Sequence, residues 1–102
     1  MGTYLSSKLR DMGDGMLLHW CPGCKSRHYV DTLEPNGSGA IWTWDGNAEA
    51  PTFSPSVHIR GRCHYFIRAG MIEFLGDCTH DHAGMTVPLP DIPGWLKERA
   101  SP

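Results

Sequence analysis

Apolar and polar residues alternate along the chain in short stretches, which is typical of β-strands with one buried face. The pattern predicts strands at residues 16–20, 28–33, 40–44, 56–60, 63–67, 72–75 and 86–87. Eight prolines and twelve glycines divide the chain into short segments and argue against long helices. We therefore predict a small all-β fold, an antiparallel sheet of short strands and hairpins with few or no helices.

The chain has 102 residues, which is enough for one domain. Glycines dilute any regular pattern in residues 1–15, which we predict to be a flexible N-terminal lead-in. Residues 16–90 form the predicted β domain. Residues 91–102 are predicted to be a C-terminal tail, with one helical turn at residues 95–98.

The most regular predicted element is a hairpin formed by residues 63–67 and 72–75. A two-residue loop at residues 69–70 sets its register, so that Ile67 pairs with Ile72. Side chains alternate between the two faces of a strand, so this register predicts which residues after the hairpin share a face with those before it.

The four cysteines are the clearest chemical signal in the chain. Cys21 and Cys24 flank a Pro-Gly turn, and a Cys-x-x-Cys turn holds two thiolates on one side of a tight loop. Gly23 is expected to supply the positive φ that lets the two sulfurs converge. If the alternation continues past the hairpin, Cys63 and Cys78 share a face and complete the site. We predict one structural Zn²⁺ held by the four cysteines, as in a zinc ribbon.

The fourth ligand stays open between Cys78 and a histidine, namely His28, His64 or His80. A site closed by four protein ligands leaves no position for a reacting water, so the predicted zinc is structural. Two disulfides are the alternative in an oxidising compartment, and free or catalytic thiols are a third interpretation.

The charge balance limits the partners. Nine basic and eleven acidic residues give a net charge of −2, which argues against binding nucleic acid through a basic surface. No apolar run approaches the ~20 residues that span a bilayer. Residues 1–15 lack the apolar core of a signal peptide. We expect a cytoplasmic protein with a protein or peptide partner and no nucleic acid or membrane partner.

A second group of residues has the composition of a hydrolytic site. In the predicted register, Asp77 lies on the same side as His64, so its carboxylate can orient the imidazole as a general base. Ser54 or Ser56, on the preceding segment, is the candidate nucleophile. His80 is a further candidate catalytic histidine.

Cys78 and His80 form a second candidate nucleophile–base pair. This pair competes with the zinc site, because a zinc-bound thiolate is a poor free nucleophile. The simpler interpretation is that the histidines are strand or loop residues with local hydrogen bonds and that the serines are turn formers beside proline.

Several motifs together resemble a family of short zinc-binding proteins of uncharacterised function that is abundant in tailed phages and prophages. The motifs are CPGC at 21–24, WTWDG at 42–46, PTFSPSV at 51–57, RCHYF at 62–66, GMIEFLGDCTH at 70–80 and AGMTV at 83–87. Some relatives sit beside bacterial ubiquitin-like conjugation genes and are regarded as peptidases that process or remove the modifier.

The resemblance implies a β-rich zinc-binding domain over residues 16–90, encoded by a phage or prophage. It also implies a peptidase, for which the matching positions are His64, Asp77, His80 and one of Ser54, Ser56 or Cys78. The alternative is a non-catalytic, zinc-stabilised module that presents its aromatic side chains to a host or virion protein. These side chains are Trp42, Trp44 and Phe53.

Overall fold

A computed structural model describes residues 3–33, 35, 39–59 and 61–94. Within these residues the chain forms nine strands, which confirms the predicted all-β fold. They are β1 (Thr3–Tyr4), β2 (Arg10–Asp11), β3 (Met16–Cys21), β4 (Ser26–Asp31), β5 (Thr43–Trp44), β6 (Phe53–Ile59), β7 (Cys63–Arg68), β8 (Met71–Phe74) and β9 (Thr86–Pro88). The predicted helical turn at residues 95–98 lies outside the described residues.

The strands form two antiparallel sheets, where a single sheet was predicted. The first sheet has the order β1-β2-β3-β4 and the second the order β5-β6-β7-β8-β9. Within each sheet, every strand therefore pairs with its neighbours in sequence, which short connections between antiparallel strands make possible. Within the described part of the chain, no helix is long and apolar enough to cross a membrane.

The first sheet is built around the Cys-x-x-Cys turn. β3 enters the turn and β4 leaves it, with Cys21 opposite Ser26 at the closed end of the ladder. The side chains of Leu17 and Cys21 on one face of β3 are buried against the second sheet. Leu18, on the opposite face, packs with Ile92 in a smaller cluster. The predicted strand–turn–strand unit is therefore present.

The segment predicted to be a flexible lead-in instead contributes β1 and β2 to the first sheet. Leu9 is fully buried in the main core, and the backbone of Leu9 closes a turn by accepting hydrogen bonds from Leu5 and Ser6. The C-terminal segment is tied to this region by a hydrogen bond from the Ile92 amide to the Ser7 carbonyl (2.8 Å). The residues around position 9 are thus part of the folded domain.

The second sheet contains the predicted hairpin in the predicted register. Ile67 pairs with Ile72 in the β7–β8 ladder. The turn residues Ala69 and Gly70 have φ of 49° and 79°, the positive values that a two-residue turn of this kind requires. Between Phe53 and Val57 the β6–β7 ladder is interrupted by a bulge, a feature that re-aims side chains beside functional sites.

The main core lies between the two sheets and includes one polar network. The Tyr65 hydroxyl lies 2.8 Å from Nε2 of His19 and 3.0 Å from Nδ1 of His28, and all three side chains are buried. Tyr65 comes from β7 and the histidines from β3 and β4, so the network joins the sheets across the core. These hydrogen bonds offset part of the desolvation cost; within the described residues, Nδ1 of His19 and Nε2 of His28 are buried without a hydrogen-bond partner.

Candidate functional site

Two adjacent strands bring a serine and a histidine together on the outer face of the second sheet. Ser56 lies in the bulge of β6, and His64 is the second residue of β7. The Ser56 Oγ is 3.0 Å from Nε2 of His64. On the other side of the same ring, Nδ1 is 3.1 Å from Oδ2 of Asp77. The three side chains form a continuous serine–histidine–aspartate chain of hydrogen bonds.

The loop after β8 places Asp77 beside the histidine because it is fastened to the His64 backbone. The Leu75 amide donates to the His64 carbonyl at 2.9 Å. The Cys78 thiol donates to the same carbonyl, and its sulfur accepts from the His64 amide, both at 3.2 Å. Residues on both sides of Asp77 are thus held against one residue of β7, which fixes the carboxylate near the imidazole.

The charge of Asp77 determines the direction of the hydrogen bonds. The hydrogen bond with His64 holds the pKa of the Asp77 carboxyl below its ordinary value. An ionised carboxylate accepts only, so the proton of a neutral His64 sits on Nδ1. Nε2 is then free to accept from the Ser56 hydroxyl, as a general base must. Asp77 keeps 57% of its side chain exposed, so solvent screens part of its charge.

The structure separates the two candidate serines. Both lie between Phe53 and Val57, but Ser54 is exposed and pairs with Thr43 in the β5–β6 ladder. Ser56 lies inside the bulge and makes the hydrogen bond to His64. Cys78, the third candidate nucleophile, is buried, and its sulfur is occupied by the His64 backbone. Of the three, Ser56 has the geometry of an activated hydroxyl.

Trp42 is a contributor that the sequence did not assign to this site. Its indole Nε1 donates to the Ser56 carbonyl at 3.2 Å, so it holds the backbone that carries the hydroxyl. Trp42 also lines a cavity of about 420 Å³ next to the serine, together with Ile41 and Pro55. The WTWDG motif drew attention to Trp42, but the sequence alone does not show that its indole contacts Ser56, fourteen residues further along the chain.

A second cluster lies on the buried side of the second sheet. Sγ of Cys21, Cys24 and Cys63 and a ring nitrogen of His80 all lie within 4.8 Å of one another, so the four residues can hold a metal ion. The Sγ of Cys63 is 3.9 Å from that of Cys21 and 3.2 Å from Nε2 of His80. All four cysteines of the chain are unpaired thiols, so the disulfide interpretation does not describe this structure.

The predicted set of four cysteines is corrected in one position, because His80 stands in the cluster where Cys78 was expected. The expectation assumed that the chain stays extended after the hairpin. β8 ends at Phe74, and the Cys78 amide then bonds the Leu75 carbonyl in a turn that directs Cys78 towards β7. The alternative ligand set with His80 is the one that the structure brings together.

Gly23 has a different role from the one expected. It does not have a positive φ; in this turn that conformation belongs to Lys25, at 54°. A Cβ on Gly23 would instead overlap the ring of His80, which lies directly over the turn. The absence of a side chain on Gly23 therefore leaves room for the His80 ring beside the cysteines.

Three thiols so close together affect each other's protonation. The hydrogen bond with Cys63 is the main cause that lowers the pKa of Cys21 to about 6. The same hydrogen bond and burial raise the pKa of Cys63, and burial raises the pKa of Cys24. Three thiolates cannot crowd together unless a cation compensates their charge, and thiolate and imidazole donors suit a transition metal.

An all-β protein with a hydrogen-bonded Ser56, His64 and Asp77 has the arrangement of a serine hydrolase. A family model described as "Bacterial ubiquitination-like system serine protease (BubE)" matches residues 2–75, and the chain belongs to this family. The matched range contains Ser56 and His64 and ends before Asp77 and His80. No curated protein and no solved structure matches the chain. This match confirms the predicted resemblance to proteins of bacterial ubiquitin-like conjugation systems.

Proposed function

We propose that this protein is a serine protease in which Ser56 is the nucleophile, His64 the general base and Asp77 the group that orients and charge-stabilises the imidazole. The observation that supports this assignment is the unbroken chain from Ser56 Oγ to His64 Nε2 (3.0 Å) and from His64 Nδ1 to Asp77 Oδ2 (3.1 Å). The description of the family as serine proteases supports the same assignment.

In the first half of the reaction, the Ser56 Oγ attacks the carbonyl carbon of the scissile bond and its proton passes to Nε2 of His64. The Asp77 carboxylate stabilises the resulting imidazolium without taking its proton. His64 then gives the proton to the leaving amine, and the carbon–nitrogen bond breaks. An ester between Ser56 and the acyl part of the substrate remains.

In the second half, a water molecule replaces the leaving amine. His64 accepts a proton from this water while the oxygen attacks the ester carbonyl. The Ser56 oxygen then leaves and recovers its proton from His64, so that a carboxylic acid is released and the site returns to its starting state.

The cavity beside Ser56 is suited to an extended peptide. It is lined by Ile41 and Trp42, and these two residues also line a neighbouring cavity of about 350 Å³. Together the cavities offer apolar contacts on one side of the nucleophile. We propose that the substrate is a ubiquitin-like modifier or its conjugate. We also propose that the protease is encoded by a phage or prophage and acts in the bacterial cytoplasm.

We also propose that Cys21, Cys24, Cys63 and His80 bind one structural Zn²⁺. The donor set supports this choice, since three thiolates and one imidazole form a closed tetrahedral zinc site, and the fit of His80 over Gly23 keeps the fourth donor in place. Such a site stabilises the fold and supplies no reacting water. The four residues hold the two sheets together, and the triad carries out the chemistry.

Labelling with a fluorophosphonate, followed by intact mass, tests the assignment. We expect one adduct on the wild-type protein and on Ser54→Ala, and none on Ser56→Ala. Ser54→Ala is the matched control, because Ser54 lies two residues away on the same strand. An adduct on Ser56→Ala, or none on the wild type with its metal bound, would contradict the proposal.

The non-catalytic alternative relied on an aromatic surface of Trp42, Trp44 and Phe53. Phe53 is 1% exposed and belongs to the core. Trp42 and Trp44 pack against that core and use their indole N–H groups within the fold, on Ser56 and Asn47. No specific observation favours a binding module over a protease.

A further inference from the structure

A second group of metal-binding side chains overlaps the triad. One ring nitrogen each from His58 and His64 and one carboxylate oxygen of Asp77 lie within 4.8 Å of one another. His58 and His64 are directly opposite in the β6–β7 ladder, and their rings stack with centroids 4.4 Å apart. His58 and Asp77 are exposed, so the group is open to ions in solution.

The chemistry of this group differs from that of the cysteine cluster. Two imidazoles and one carboxylate suit Zn²⁺ and its neighbours in the first transition series, and they do not suit Mg²⁺, which prefers oxygen ligands. Three protein ligands leave a coordination position open, in contrast to the closed set of Cys21, Cys24, Cys63 and His80. An open, exposed site with three ligands exchanges its ion more readily than a closed, buried one.

His58 has no place in the proton transfer described above. Its ring lies against the ring of His64, whereas Ser56 and Asp77 occupy the two nitrogens of that ring. The hydrolytic mechanism therefore leaves a cross-strand imidazole unexplained at the centre of the site.

We propose that His58, His64 and Asp77 form a second, exchangeable site for a divalent transition metal ion such as Zn²⁺, and that its occupancy inhibits the enzyme. This inference rests on the proposed function, because it needs His64 to act as the base. Both ring nitrogens of His64 are used in the triad, so a metal on either nitrogen displaces Ser56 or Asp77. The protein would then be stabilised by its first metal ion and inhibited by its second.

Binding is tested by calorimetric titration of Zn²⁺ into protein that already holds one equivalent. We expect a second equivalent to bind to the wild type and to Ser56→Ala, which keeps all three ligands. In His58→Ala this second event should be lost or weakened at least about tenfold, which is 1.4 kcal/mol. Mg²⁺ at the same concentration should give no binding.

Retention of the first zinc ion and an unchanged circular dichroism spectrum establish that His58→Ala is folded. His58→Gln serves in the same way if the alanine variant does not fold. Binding of the second equivalent to a folded His58 variant as tightly as to the wild type would overturn the proposed site. The absence of a second equivalent in the wild type would overturn it too.

Inhibition is tested by the rate of fluorophosphonate labelling with and without excess Zn²⁺. The ratio of the two rates within each protein cancels any effect of His58 on the uninhibited reaction. We expect the rate to fall at least about tenfold in the wild type and less than about twofold in His58→Ala. Equal ratios in both proteins would overturn the inhibitory role.

The two readouts separate this inference from the proposed function. If no protein is labelled under any condition, the serine protease assignment fails, but the calorimetric result still decides whether His58 is a metal ligand. If the second ion binds in the wild type and is lost in His58→Ala while labelling is unaffected, the site exists and its regulatory role is wrong.

Discussion

The cysteine cluster and the triad lie on opposite faces of one strand and differ in almost every other respect. Cys63 and His64 are neighbours on β7, and their side chains point to opposite sides of the second sheet. Cys63 is 1% exposed and meets ligands from the first sheet. His64 meets Ser56 and Asp77 on the outer face, where the Asp77 side chain is 57% exposed.

The different positions of the two sites indicate that the triad depends on the cysteine cluster, but the cluster does not depend on the triad. The cluster joins residues far apart in the chain, so it constrains the whole fold, whereas the triad is assembled from the second sheet and the loop that follows β8. The loop of residues 75–80 supplies Asp77 to one site and His80 to the other. Loss of the cluster should therefore disrupt the triad, and loss of the triad should leave the cluster intact.

Removal of the proposed structural zinc ion should have the largest effect. Binding of a structural zinc is worth about 10–16 kcal/mol in small domains, as much as the whole stability of a typical fold. We expect chelation, or the Cys63→Ser change, to abolish cooperative thermal unfolding and serine labelling together. Circular dichroism melts and metal analysis measure this. A metal-free protein with an unchanged melt would show that the cluster is not the scaffold.

The Asp77→Asn change should affect only the triad. The asparagine no longer holds the proton of His64 on Nδ1, and we expect hydrolysis to slow by about 10²- to 10⁴-fold. Because Asp77 is exposed, the thermal stability of the fold should stay close to that of the wild type. Kinetics, metal content and a thermal melt of the same sample measure both effects. Loss of bound zinc in this variant would contradict the independence of the cluster from the triad.

Acid should destabilise the interface between the two sheets. Burial lowers the pKa of His19 from 6.5 to about 3 and that of His28 to about 4. Below pH 6.5 the unfolded chain therefore binds protons that the folded chain does not. As the pH is lowered, the free energy of unfolding decreases by up to about 1.4 kcal/mol per pH unit for each histidine.

Urea unfolding at pH 7, 6 and 5 in the wild type and in His19→Gln measures this effect. The glutamine variant should lose less stability on acidification, because one of the two titrating groups is gone. Identical slopes in the two proteins would mean that His19 does not contribute to the acid sensitivity, and that protonation elsewhere in the chain accounts for it.

The most local effect is expected from one methyl group at the proposed metal site. In Gly23→Ala the new Cβ would overlap the His80 ring, so the ring must move, at a cost of about 1–3 kcal/mol. The matched control is Gly76→Ala, since a Cβ on Gly76 would have nothing within 4 Å and its φ is not positive. Competition with a zinc chelator ranks the variants. Equal zinc affinity in both would show that His80 is not a ligand.

Alternation of side chains predicted the second sheet well. The hairpin register and the pairing of Ile67 with Ile72 follow from the parity of the strands. Asp77 lies beside His64 as expected, but the loop after β8 places it there. The Cys-x-x-Cys unit was predicted for the same reason, because a turn flanked by two alternating strands has few other structures. Local patterns were sufficient in these places because the contacts are local.

The remaining features depend on contacts that a local pattern does not encode. Two-residue strands such as β1 and β2 are too short to show a period. They join the fold through their pairing with β3 and through the burial of Leu9 between them. The exchange of Cys78 for His80 depends on a turn after Phe74 that ends the alternation. The choice of Ser56 over Ser54 depends on a bulge.

The alternation of Cys63 and His64 along β7 has a consequence for misfolded chains. If β7 slipped by one residue along β6, every side chain would change face, which would put an imidazole among the thiols and a thiol beside Ser56. Such a chain would lose both the proposed zinc site and the proposed triad. This error of register would therefore abolish the proposed activity and the proposed metal binding together.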